Sequence, residues 1–195
     1  MELLFASHNC NKTHEIQSFL GDLWLVKNLH DLGFEEEIPE TGTTIEENAL
    51  IKAKYLYQSF HVACFADDSG LEVNCLNGAP GVYSARYAGV EKSDEANMNL
   101  LLSNLATASD RSAQFKTVVA YIDSSGNSHT FTGTIKGQIL TEKIGTRGFG
   151  YDPIFQPDGY EKSFAEMEMV EKNLISHRSK AVKQLVDFLT QSERS

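Results

Sequence analysis

Two adjacent carboxylates, Asp67 and Asp68, close an apolar run from Val62 to Ala66 inside the stretch FADDSGLEVNCLNGAPGVYSARYAG, Phe65 to Gly89. Such a run ahead of a Ser-Gly pair reads as a buried strand that stops at a turn and delivers its last acids into a cleft. Side chains alternate along a strand, so the two acids should face opposite ways. One can then hold a divalent metal or poise a water while its neighbour takes a structural hydrogen bond. The local residues alone fit a plain polar turn equally well, because Asp, Ser and Gly are ordinary turn formers. Gly78, Ala79, Pro80 and Gly81 make a further turn, and glycine-rich loops beside paired acids suit a phosphate site.

Other segments carry compatible chemistry. Leu3 to Ala6 is a short apolar strand that runs through SHNCNK, Ser7 to Lys12, into a helical pattern. A strand entering a helix through a polar loop presents unpaired N–H groups and a positive dipole end to an anion, and Lys12 adds a full charge. In GTRGFGYDPIF, Gly145 to Phe155, glycines flank aromatics, and Phe149 and Tyr151 offer rings that could stack on a flat heterocycle. Ser176 can cap a final helix, which puts His177 and Arg178 in its first turn. Positive charge is electrostatically poor there, so those residues make more sense facing an anion or a base carbonyl.

Taken in order, these segments resemble the inosine/xanthosine triphosphate pyrophosphatases. Phe65 to Gly89 matches that family's signature, and FGYDPIF its nucleobase-contacting segment. SFAE (Ser163 to Glu166) and EKNLISHRSKA (Glu171 to Ala181) match its later landmarks. SHNCNK is similar to the family's Ser/Thr-Gly-Asn-x-Gly-Lys, with His8 and Asn11 where glycines are usual. Asn tolerates a left-handed backbone, whereas His8 fits poorly if its position requires positive φ. The resemblance implies hydrolysis of ITP, dITP and XTP between the α and β phosphates, giving a nucleoside monophosphate and pyrophosphate. It implies Mg2+ held by Glu40 and Asp68, with Asp68 catalytic. Substrate contacts would come from Ser7, His8, Asn9, Cys10, Asn11, Lys12, Ser69, Phe149, Gly150, Tyr151, Asp152, Lys172, His177 and Arg178. It also implies an α/β fold, an elongated mixed β-sheet with helical lobes either side of a central nucleotide-binding cleft, in a homodimer. A pyrophosphatase for another modified nucleotide shares every catalytic feature and stays open. A sensor that binds without hydrolysing is disfavoured, since a pure binder gains nothing from paired carboxylates facing phosphate.

The rest of the chain must position these residues. Its 195 residues suit one domain spanning 1–195, in two lobes, with room for a sizeable core. A net charge of −10 disfavours binding to long nucleic acids, which relies on clustered Lys and Arg, but leaves room for a small nucleotide in a local basic pocket. No apolar run is long enough for a membrane span and no secretory signal is visible, so the cytoplasm is the expected compartment. Cys10, Cys64 and Cys75 lack metal-type spacing and read as reduced thiols. Thr44 and Glu47 form a capping box for a helix from Ile45 to Phe60, with Asn48 and Lys52 on a helix bordering the site. A further helix is expected from Ser93 and Asp94 to Ala106, and a hairpin from Ala113 to Ile139 that turns at Ser124 to Asn127. Strands alternating with helices around a long hairpin indicate a mixed sheet.

Overall fold

The structure is a computed structural model that describes residues 2–192. Six strands form one mixed sheet: β1 (Glu2–Phe5), β2 (Leu25–Lys27), β3 (Cys64–Val73), β4 (Ser112–Ile122), β5 (Ser128–Ile139) and β6 (Phe155–Pro157), in the order β2-β1-β3-β4-β5-β6. β1 runs parallel to both β2 and β3, with Phe5 opposite Phe65, and β5 pairs antiparallel with β6. Among the described residues the α-helices are α1 (Cys10–Leu20), α2 (Ile45–Phe60), α3 (Asp94–Asn104), α4 (Met169–Ile175) and α5 (His177–Ser192).

The chain divides into two compact units. The first comprises Met1–Asp68, Thr117–Gly133 and His177–Ser195, the second Ser69–Lys116 and Thr134–Ser176. In the first, Leu3, Phe5, Ile16, Val26, Phe65, Val119, Val182 and Leu185 form the core, where Phe5 and Phe65 stack at 4.7 Å. In the second, Leu71, Met98, Leu101, Phe115, Ile154, Phe155 and Phe164 form another.

One expectation is corrected. The strand does not stop at a Ser-Gly turn: β3 continues through Asp67, Asp68, Ser69 and Gly70 to Val73. β1 pairs with β3 only at Cys64 and Phe65, so beyond them the neighbour that holds the strand extended is β4, and that pairing overrides the local turn preference of Asp, Ser and Gly. Beyond β3, Gly81–Arg86 forms a 3-10 segment.

The capping box at the start of α2 forms as expected, with the Thr44 side chain accepting from Glu47 N–H and Glu47 reaching back to the Thr44 N–H. The buried face of α2 is Ile45, Asn48, Ala49, Lys52, Ala53 and Leu56, the three-to-four spacing of a helix packed on one side. Two of those six side chains are polar. The three thiols are all free: Cys64 is buried, donates to the Ala53 carbonyl at 3.4 Å, and is pushed up by burial to about 12, whereas Cys10 and Cys75 are exposed. A thiol reagent at pH 8 is therefore expected to titrate two cysteines in the native protein and three in denaturant. Three fast native thiols would contradict the packing of β3.

Candidate active site

Asp67 and Asp68 sit side by side on β3, and their partners come from different helices, as strand alternation requires. Asp67 accepts from Lys12 Nζ of α1 at 2.8 Å and from Arg178 Nε of α5 at 3.1 Å. Arg178 also pairs through Nη1 with Glu15, one turn beyond Lys12 on α1. All four side chains are buried or nearly so, and their charges cancel. Burial pushes the Asp67 carboxyl up, but Lys12, Arg178 and Lys52 outweigh it and hold the group well below the usual carboxylate range. Lys12 is lowered, chiefly by burial, with Lys52 and Arg178 adding to the effect and Asp67 opposing it.

Asp68 has a different setting. Lys52 Nζ donates to Asp68 Oδ1 at 2.9 Å and to Glu40 Oε1 at 2.9 Å, so one ammonium from α2 joins both acids named as metal ligands. Burial raises the Asp68 carboxyl above its ordinary value even though Lys52 and Lys12 oppose it. Burial would lower Lys52, but Asp68, Glu40 and Asp67 overcome that and raise it, so Lys52 remains an ammonium. The two neighbouring acids are thus pushed apart, one firmly ionised and the other a better proton acceptor.

Whether this donor set suits Mg2+ is answered by that convergence. Two carboxylates already meet on one cation, and magnesium is commonly held by one or two carboxylates with waters and substrate phosphates completing the shell. Among the described residues no cluster of three or more His, Cys, Asp or Glu could hold a metal by itself, so the remaining ligands would have to be water and phosphate oxygens.

The segment Ser7–Lys12 forms the mouth of α1. Asn9 is the N-cap, its Oδ1 accepting the Lys12 N–H at 3.1 Å, and Ser7 Oγ accepts the Asn9 N–H at 3.1 Å. Neither His8 nor Asn11 has positive φ, and Asn11 is already helical, so the usual glycines are not needed for this path. Glycine is needed elsewhere. A Cβ on Gly42 would lie 2.7 Å from Asn48 Oδ1, which accepts the Gly42 N–H at 2.8 Å and fixes the turn just after Glu40. A Cβ on Gly133 of β5 would lie 2.0 Å from the His177 carbonyl, so that glycine lets β5 approach the first turn of α5.

In the second unit, Asp152 Oδ2 accepts from the Phe149 N–H at 2.9 Å and from Lys172 Nζ at 2.6 Å. The Lys172 ammonium lies 5.4 Å from the Phe149 ring and 5.2 Å from the Phe164 ring. The Gly150 N–H donates to Asp94 Oδ2 at 2.7 Å, and the Tyr151 hydroxyl donates to the Ser84 carbonyl at 2.8 Å. Tyr151 is only 4 % exposed within its core, whereas Phe149 is half-buried, so Phe149 is the ring of the two with surface to offer a base. Ser69 follows Asp68 on β3, half-buried.

The structure thus brings Lys12, Asp67 and Arg178 together, and Glu40 with Asp68 through Lys52, in the first unit, which also holds Ser7–Asn11 and His177, and Phe149–Asp152 with Lys172 in the second. The sequence reading left Lys52 and Glu15 out of the site. Lys52 left a trace, as a lysine on the apolar spacing of α2. Glu15 left the same trace on α1, next to the buried Ile16.

The Ham1 family model matches residues 3–188. The chain is 55 % identical over 190 residues to a dITP/XTP pyrophosphatase of Christiangramia forsetii, covering 97 % of this chain and 100 % of that protein. It is 53 % identical over 188 residues to one from Flavobacterium psychrophilum, covering 96 % and 98 %. Among solved structures, the Ham1 protein of Staphylococcus aureus superposes with a TM-score of 0.88 at 41 % identity, covering 98 % of this chain and 100 % of that one. A HAM1 protein from Coxiella burnetii gives 0.87 at 39 %, covering 98 % and 99 %. A family match over nearly the whole length, with relatives above half identity, places the chain in the Ham1 family.

Proposed function

We propose that this chain hydrolyses deaminated purine nucleoside triphosphates, dITP, ITP and XTP, to the monophosphate and pyrophosphate; the relatives above are named dITP/XTP pyrophosphatases. The observation that carries the reading to individual residues is the convergence of Glu40 and Asp68 on one cation, beside a half-buried Lys12 at a helix N-terminus. Glu40 and Asp68 are the residues that would hold Mg2+, which when bound neutralises phosphate charge and organises an attacking water. Asp68, raised by burial, takes the proton of the attacking water as that water's oxygen bonds to the α-phosphorus. The bond from that phosphorus to the α–β bridging oxygen breaks, and the electron pair leaves with pyrophosphate. Lys12 and the N–H groups at the start of α1 hold phosphate oxygens, and Lys52 offsets charge between the two acids.

Base selection is proposed for Phe149 as stacking surface with the Lys172 ammonium beside it as donor, both in the second unit. Hypoxanthine and xanthine present a 6-oxo acceptor where adenine presents an amino donor, so donors there favour the first two. The reading extends to a cytoplasmic homodimer acting on free nucleotides, and among the described residues no helix is long and apolar enough to cross a membrane. The test is product identity. dITP with Mg2+ should yield dIMP and pyrophosphate in equal amounts, and release of orthophosphate with dIDP would refute cleavage at the α-phosphorus.

A further inference from the structure

We infer that His8 and His30 form a brace that pre-organises the phosphate loop, which makes both positioning residues for the reaction. The inference rests on the phosphate role proposed above for Ser7–Lys12. His8 Nε2 lies 2.9 Å from the Phe34 carbonyl oxygen, and His30 Nε2 lies 3.2 Å from the His8 carbonyl oxygen. A carbonyl only accepts, so each ring donates from Nε2, which fixes its tautomer. The two rings meet edge to face at 4.9 Å. A third bond, from the Leu29 N–H to the Ser7 carbonyl at 3.2 Å, runs alongside.

The brace holds the loop only if its far end is firm. Asn28 and Asp31 exchange side-chain-to-backbone bonds at 2.9 Å and 3.1 Å, and the Phe34 N–H donates to the Leu29 carbonyl at 2.9 Å. Leu29 is buried, and the Phe34 ring packs on Tyr55 and Phe60 of α2 at 6.1 Å and 5.9 Å. α2 also carries Lys52, so the anchor of the brace and the ammonium shared by Glu40 and Asp68 stand on one helix. A glycine at position 8 could make neither the ring contact nor the bond to Phe34. In this chain a side chain does the work of ordering a loop before its ligand arrives, which lowers the ordering cost of binding.

The test compares His30→Phe, which keeps the ring contact but loses the donor to His8, with His30→Gln, whose amide can still donate, and with His8→Gly. Two readouts are taken: kinetics on dITP with Mg2+, and hydrogen exchange of the amides of residues 7–12 in the protein alone. His30→Phe should raise KM by about threefold to tenfold, the scale of one hydrogen bond, at a kcat within about twofold, and should speed loop exchange by a similar factor. His30→Gln should recover at least half of both effects on a logarithmic scale, and His8→Gly should exceed His30→Phe in both. Unchanged KM and exchange in His30→Phe and His8→Gly would overturn the brace, as would a fall in kcat at constant KM in His30→Phe. Should the parent chain leave dITP intact, the proposed function fails, while the exchange readout still decides whether the brace orders the loop.

Discussion

Asp68→Asn is expected to lower kcat for dITP by at least about a hundredfold, the usual scale for losing a positioned base, with the thermal midpoint close to that of the parent chain. The amide is isosteric and its oxygen can still accept from Lys52, which keeps Glu40 as an ionised partner. What it loses is the ability to take a proton and half of the negative charge facing a cation. Asp68 is raised by burial, so in the parent chain the ionised carboxylate is already disfavoured, and neutralising it costs the fold little. Steady-state kinetics with an unfolding scan decides the matter, and near-parental turnover would remove Asp68 from the chemistry.

Asp67→Asn should behave in the opposite way. Its carboxylate is wholly buried between Lys12 and Arg178, and removing the charge takes from both cations the acid they share, while Arg178 keeps its pair with Glu15. Breaking a buried pair from one side costs about 3–5 kcal/mol, which for a chain of this length is a fall in Tm of about 6–20 °C. The pH dependence follows from the direction of the shift. Asp67 is held below its unfolded value, so its contribution is complete above about pH 4 and is lost as pH falls through the folded value. The acid side of the Tm profile should therefore be flatter in Asp67→Asn than in the parent. Equal midpoints at pH 7 would mean that the four-charge network contributes nothing to the fold.

Much of this was legible in the residues. The capping box of Thr44 and Glu47, the hairpin turning near Asp123–Asn127 and the start of α3 at Ser93 all follow from local chemistry and stand as expected. The continuation of β3 past Asp68 was not legible, because the neighbour beside Ser69 and Gly70 is β4, a strand distant in sequence. The same limit applies to Arg178. Its place in a helix first turn could be read locally, but its clamping by Glu15, 163 positions away in sequence, could not. Tyr151 and Phe149 look interchangeable in the string FGYD, and only burial separates the core ring from the half-buried one.

The proposed activity is removal of deaminated purine triphosphates by cleavage at the α-phosphorus. The most direct measurement scores pyrophosphate release from dITP, XTP, dATP and dGTP, each with Mg2+, as kcat/KM. Sites that read by hydrogen bonds discriminate by up to about ten-thousandfold, so dITP and XTP should exceed dATP and dGTP by several orders of magnitude. Equal cleavage of dATP or dGTP and dITP by the unmodified chain would contradict it.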